Sequence, residues 1–249
     1  MNRFEKIFEK LARTDDPNVI FTNWLDYVIN INLFTVKNHE LDFKGHEHEY
    51  FNMFAAWVGI QNNYLENNPD KGWYDYLGTF YEDIIQSKFR AGTRGQFFTP
   101  SNVCQVMAEL TFRCGSEDGY AGKMINDCAC GSGRLLLAGK TLAPNGIFIG
   151  QDLDPVAVKM AVLNFYIHGV RGAVICKNTL TGEFFEAYRI NNYLGYGLPI
   201  PHIELVAEKD AYHFIGVKNL NKTKPIELKE NIPRKVYSHD DKTIQTKLL

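Results

Sequence analysis

The 249-residue sequence lacks an apolar run approaching the ~18 residues that a membrane helix requires, and its charges are spread along its whole length. It has almost no charge excess: 27 Lys+Arg against 29 Asp+Glu leave a formal net charge of -2. A wholesale basic nucleic-acid binder is thereby excluded, although a local basic patch is not, since net charge says nothing of distribution. Cysteine is sparse and odd in number, five in all, and Cys128 and Cys130 sit too close for an ordinary bridge. That usage points to a reducing compartment. The N-terminal residues weave Arg3, Glu5, Lys6, Glu9 and Lys10 among Phe4, Ile7 and Phe8, so they do not form a signal peptide. The expectation is a cytoplasmic protein with no membrane association.

What is present is an ordinary globular composition, 45% hydrophobic and 22% charged. Residues 1–100 carry 10 basic and 14 acidic groups, residues 101–200 carry 8 of each, and the remainder carries 9 and 7, so only the tail is mildly basic.

The first hundred residues have helical periodicity. Phe4, Ile7, Phe8 and Leu11 fall at i, i+3, i+4 and i+7. Helices are predicted near Asn18–Ile31 with Trp24, Leu25, Val28 and Ile29 inward, near Glu47–Leu65 with Phe51, Phe54, Trp57 and Val58 inward, and near Tyr74–Phe89. The period then changes. Lys123–Asp127, Gly146–Gln151 and Ala173–Cys176 are short apolar runs bounded by Gly, Asp or Asn, with helical patterns at Ser132–Lys140 and Pro155–His168 between them. Strands alternating with helices imply βαβ units and a parallel sheet. Beyond Gly182 the pattern weakens. Gly195–Pro201 reads as a loop, and His202–Val206 and Tyr212–Val217 read as two further strands.

The most informative stretch is Asp127-Cys-Ala-Cys-Gly-Ser-Gly133, a strand running into a glycine loop before a helix. Glycine lets the backbone turn tightly and a ligand approach closely, and helix-start amides favour an anion. A P-loop would need Lys after Gly133, where Arg134 stands. The dinucleotide fingerprint needs a third Gly where Leu136 stands. Asp152 ends the next strand 19 residues after Gly133, where α/β folds place a carboxylate on ribose hydroxyls. Asp154, just before Pro155, fits a helix cap and leaves Asp152 for a ligand.

These segments resemble the N6-adenine DNA methyltransferases of type I restriction-modification systems, the modification subunits. Phe80-Tyr-Glu-Asp-Ile-Ile followed by Arg94-Gly-Gln-Phe-Phe-Thr-Pro100 resembles the signature preceding the family's catalytic sheet. Asp127–Gly133 resembles Asp-Pro-Ala-Cys-Gly-Ser-Gly. Gly150-Gln-Asp-Leu-Asp-Pro, with Asn164 and His168-Gly169, resembles the following block, and Asn178-Thr-Leu180 the one after. The match spans about residues 75–180, in the family's order.

The resemblance implies an α/β fold: a helical N-terminal domain over 1–95, a Rossmann-like S-adenosylmethionine-binding core over 96–200 with its second half reduced or divergent, and a divergent extension over 201–249. It implies that Gly95, Gln96, Phe97, Phe98, Thr99 and Pro100 line the cofactor's methionine end, with Thr99 as a polar contact. Asp127, Gly131, Ser132 and Gly133 would hold its amino and carboxylate groups, Asp152 the ribose and Asn178 the adenine edge. Thr99-Pro100 also reads as a cap and N1 for a helix through Val103, Val106, Met107 and Leu110.

The family activates the adenine amino group with an Asn/Asp-Pro-Pro-aromatic loop, but no two of the nine prolines here are adjacent. The catalytic residues therefore stay unassigned. The implied function is DNA adenine N6-methylation, with DNA reached through a specificity subunit and other restriction-modification subunits as further partners. The alternative is a non-catalytic module of the same descent. Lys88, Arg90 and Arg94 form a basic joint suited to phosphates or to a solvated linker, and His46-Glu-His48 is read as a solvated helix start without a metal.

Overall fold

The computed structural model describes residues 1–34, 41–83, 98–112, 120–194, 198 and 200–215. Helix α1 (Arg3–Leu11) opens with a capping box: the Asn2 side chain accepts from the Glu5 amide, and the Glu5 side chain accepts in return from the Asn2 amide. Helix α2 (Pro17–Ile31) starts from Asp16, whose side chain accepts from the Asn18 and Val19 amides, with Pro17 at the first position. Helix α3 (Glu47–Asn67) and the short α4 (Tyr76–Phe80) complete this layer. Their contacts are largely aromatic. Phe4 meets Trp24, Tyr76 and Phe80 edge to face, and Trp24 meets Trp57 in the same way.

The third helix is where the sequence reading places it, but its inward face is turned. Tyr50, Met53, Trp57 and Gln61 are buried, whereas Phe51 is 53% exposed. Apolar residues at 50, 51, 53, 54, 57 and 58 support two faces about 100° apart, and docking of Trp57 and Tyr50 around Trp24 selects one. The fourth helix is regular only over Tyr76–Phe80 among the described residues.

After α5 (Ser101–Phe112) the chain alternates as β1 (Met124–Asp127), α6 (Arg134–Leu142), β2 (Ile147–Asp152), α7 (Pro155–Ile167) and β3 (Gly172–Lys177). Strands β1, β2 and β3 are parallel neighbours, with Asp127 opposite Gly150 and Asp152 opposite Cys176. Two strands of opposite direction follow, β4 (Phe184–Ile190) against β3 and β5 (Ile203–Val206) against β4, giving the order β1-β2-β3-β4-β5. The antiparallel second half agrees with the expected divergence.

Both sheet faces are apolar, as parallel strands demand. Phe148, Val174 and Cys176 join the core with α6, α7 and helices α1–α4, while Ile147, Ile149, Ala173 and Ile175 form a smaller cluster on the other face. The boundary expected near residue 95 lies outside the described residues. The helices before it share one core with α6 and α7, and α2 packs on α7, where Lys159 pairs with Asp26 at 2.8 Å.

Three expectations are corrected. The run beyond Gly182, read as weak, contains β4: Phe184-Phe-Glu-Ala-Tyr-Arg-Ile is aromatic and β-branched enough to have shown it. Residues 212–215 are not a strand. Arg171 donates to the Ile215 carbonyl and the Ile215 amide donates to Asn192, so this backbone is satisfied by side chains rather than a neighbouring strand. Helix α5 exists, but Val103, Val106, Met107 and Leu110 face outward, Leu110 being 76% exposed. Small residues, Cys104 and Ala108, provide its contact face instead. Its first helical residue is Ser101, with the Pro100 carbonyl accepting from the Cys104 amide, so Thr99 is not its cap.

Candidate functional site

The C-terminal ends of β1, β2 and β3 lie side by side, and each carries a residue singled out from sequence. At the end of β1, Asp127 turns the chain by accepting from the Ala129 amide at 3.1 Å. The loop that follows uses left-handed backbone at Gly131 (φ +55°) and Gly133 (φ +87°), which costs other residues strain. Gly133 is the N-cap of α6 and supplies no side-chain cap. The helix-start amides therefore meet no capping side chain at this end of the sheet.

At the end of β2, one oxygen of Asp152 accepts from the Gly131 amide at 2.8 Å and the other from the Asp154 amide at 2.9 Å. Asp152 is thus bound to the glycine loop as well as sitting across from it. Burial pushes its pKa above the usual carboxylate value, and these amide donors only partly offset that. Asp154 accepts from the Val156 amide at 2.8 Å and caps α7, with Pro155 at its first position. Asp154 is thus the cap the sequence reading expected, while each Asp152 oxygen is engaged by a backbone amide. Asp154→Ala should cost about 1 kcal/mol in a urea melt; a loss below a few tenths would show that the cap contributes little.

At the end of β3, the Asn178 side-chain oxygen accepts from the Leu180 and Thr181 amides at 3.0 and 3.2 Å. It builds the turn into β4, so its oxygen is engaged within the turn. Ser132 also departs from its expected role. It is fully buried, and its hydroxyl donates to Asp75 at 2.5 Å, toward the helical layer. Phe98 lies against the glycine loop: a Cβ on Gly131 would come 2.7 Å from its ring. Thr99 and Pro100 are exposed, and Gly95, Gln96 and Phe97, like Lys88, Arg90 and Arg94, lie outside the described residues.

Behind the loop is a polar cluster that sequence reasoning did not assign. Asp75, 2% exposed, accepts from the Gly78 amide (2.8 Å), the Ser132 hydroxyl (2.5 Å), Arg134 Nε (2.7 Å) and Asn164 Nδ2 (2.7 Å). Arg134 also pairs with Glu82 at 2.8 Å. Burial alone would pull the Arg134 pKa down, but the two carboxylates outweigh it and raise it. Asn164 also donates to the Ser132 carbonyl at 2.8 Å. Helix α4, the glycine loop and α7 are therefore joined through buried polar side chains. The signals were in view: Arg134 where Lys was sought, and Asn164 and Glu82 inside quoted motifs.

The sheet ends at β1. In doubly wound sheets a ligand sits where strand order reverses, with strands on both sides of the central one. Here β1 is an edge strand, and among the described residues nothing pairs with its outer side. The chain after β3 turns back instead, so Ile190 and Asn191 end β4 beside Gly172, at the opposite end of the sheet from Asp152. Asn191 is a packing residue there, donating to the Phe165 and Val170 carbonyls.

Three parallel strand ends, with a glycine loop on the first and a carboxylate on the second, form a Rossmann-like α/β arrangement. Residues 73–194 match the family described as N-6 DNA Methylase. Over 124 residues the chain is 32% identical to the "Type I restriction enzyme MjaVIII methylase subunit" of Methanocaldococcus jannaschii, covering 46% of this chain and 20% of that protein. It is 28% identical over 113 residues to the "Type II methyltransferase M.MamI" of Microbacterium ammoniaphilum, covering 39% and 31%. The chain thus spans a fifth and under a third of these relatives. A type I restriction-modification system methyltransferase subunit from Streptococcus thermophilus superposes over 66% of this chain and 40% of its own, at 22% identity and a TM-score of 0.39. Among the described residues, no helix is long and apolar enough to cross a membrane.

Proposed function

We propose that this chain is the cofactor-binding part of an S-adenosylmethionine-dependent DNA adenine N6-methyltransferase of the type I modification-subunit kind. The observation that supports the reading is Asp152, a carboxylate at the end of β2 that accepts from the Gly131 amide at 2.8 Å and so adjoins the glycine loop. The residues present suit the cofactor. Asp152 offers acceptors to ribose hydroxyls, Asp127 an anion to an ammonium group, and the uncapped start of α6 a partial positive charge to a carboxylate. When bound, the cofactor supplies a sulfonium methyl group. Phe98 lies against Gly131 and would border the methionine end. The Asn178 oxygen is committed to its turn, so any contribution of this residue to the adenine edge would fall to its side-chain NH2.

DNA recognition is proposed for a specificity subunit, with other restriction-modification subunits as further partners, from the likeness to a type I methylase subunit. The reading as a non-catalytic module of the same descent is favoured by one observation: no two prolines of the sequence are adjacent, so it carries no Asn/Asp-Pro-Pro-aromatic run.

The test is titration calorimetry with S-adenosylmethionine, followed by transfer of tritiated methyl groups to DNA. Asp152→Ala should weaken binding about ten- to a hundred-fold, from charged hydrogen bonds of about 1.5–3 kcal/mol. Stability should fall too, by about 1 kcal/mol, because the Gly131 and Asp154 amides lose their acceptor. An affinity unchanged in Asp152→Ala would remove Asp152 from the site. Binding without methyl transfer would favour the non-catalytic module.

A further inference from the structure

Glu82 follows α4 and belongs to the helical layer, yet its two oxygens reach two other segments. One accepts from the Phe98 backbone amide at 3.0 Å, and the other from Arg134 Nη2 at 2.8 Å. Arg134 follows Gly133 directly, so it is fixed to the glycine loop. The same guanidinium reaches the Thr99 carbonyl at 3.4 Å and lies 5.5 Å from the Phe98 ring centre. Tyr81 packs on Phe98 from the helical side, with ring centres 6.1 Å apart.

Charge balance says what Glu82 is for. Asp75 already neutralises Arg134 in a buried contact at 2.7 Å, so one cation faces two carboxylates. The second acid is not needed for neutrality. Its distinctive contact is the Phe98 amide, which it joins to Arg134 through a single rigid group.

We propose that Glu82 is a positioning residue: by holding the Phe98 amide and Arg134 together, it fixes residues 98–100 over the glycine loop and so sets cofactor affinity without touching the cofactor. This rests on the S-adenosylmethionine reading of the crevice. The backbone carries the coupling. Phe98 can press on Gly131 only while its amide is anchored, and the anchor lies on an element outside the sheet.

Two measurements test it on the whole chain. The first is exchange of the Phe98 amide by NMR without cofactor. Glu82→Ala should speed it by at least tenfold, whereas Glu82→Gln, which keeps an acceptor oxygen, should leave it close to the parent. The second is a double-mutant cycle on S-adenosylmethionine affinity. Glu82→Ala and Phe98→Ala should each weaken binding about tenfold, the double variant should be no weaker than either, and Glu82→Gln should restore most of the loss. Losses that multiply in the double variant, or a Phe98 amide indifferent to Glu82→Ala, would overturn the proposal. So would a Glu82→Gln variant as impaired as Glu82→Ala, which would reduce Glu82 to a counter-charge. If the parent binds no S-adenosylmethionine, the cofactor reading fails, while the exchange comparison still decides whether Glu82 holds Phe98.

Discussion

Replacing Asp75 with Ala should lower the unfolding free energy by about 3–5 kcal/mol, the loss that follows when one partner of a buried ion pair is removed. The carboxylate is almost inaccessible and takes four donors, each between 2.5 and 2.8 Å. Without it, the Ser132 hydroxyl and the Gly78 amide lose their acceptor, and Asn164 keeps only the Ser132 carbonyl. Arg134 keeps Glu82 as its counter-charge but leaves Nε without the Asp75 contact. A loss of this size is a large share of the stability of an ordinary domain. Asp75→Asn should cost less than Asp75→Ala, because an amide oxygen still serves two donors while the ion pair is lost. Urea unfolding of the three proteins decides it. A change under 1 kcal/mol in Asp75→Ala would mean that the cluster relaxes or admits water.

Acid should destabilise the fold through His168. Its Nε2 accepts from the Tyr74 amide at 3.1 Å, and its Nδ1 lies 2.8 Å from the Asn164 carbonyl, which fits a neutral ring with the proton on Nδ1. Burial moves its pKa down to about 4 from 6.5, and the carbonyl contact only partly opposes this. A protonated ring would turn an N–H onto the Tyr74 N–H. Between these two values the unfolded chain binds more protons than the folded one, so stability rises with pH across that window. The contribution is complete above about pH 6.5 and is lost as pH falls toward 4, to a total of up to about 3 kcal/mol. Urea midpoints from about pH 7 to about pH 4.5 should therefore fall more steeply for the parent than for His168→Gln, which cannot titrate. Equal slopes would place the acid sensitivity in the carboxylates.

The parts of the fold legible in the sequence are those set by local rules. Asp16-Pro17 and Asp154-Pro155 each start a helix, because the cap and the proline ring act within a few residues. The three apolar runs became parallel strands because each is short, buried on both faces and separated from the next by a helix. The positions of Asp127, Gly131, Gly133 and Asp152 at one end of the sheet follow from that alternation, since every βαβ unit returns its strand in the same direction.

What only the tertiary structure decided involves choices that local sequence leaves equal. The face of α3 was one, settled by the docking of Trp57 against Trp24 rather than by period. The outward face of α5 was another, where Cys104 and Ala108 allow close packing on α6 and leave larger side chains outside. The direction of β4 was a third: a strand pattern does not say which edge it will join, and the turn closed by Asn178 sends it back along β3, leaving β1 at the edge. Ser132 belongs with these. Its motif suggests a ligand contact, but Asp75, 57 residues earlier, supplies a buried acceptor and turns the hydroxyl toward the helical layer. Sequence determined which residues stand at the strand ends, because the apolar runs and the Gly, Asp or Asn residues that bound them act over a few residues. The meeting of Asp75 and Glu82 with Arg134 was decided only in the folded chain, because nothing in the spacing of residues 75, 82 and 134 brings them together before the helices dock on α6 and α7.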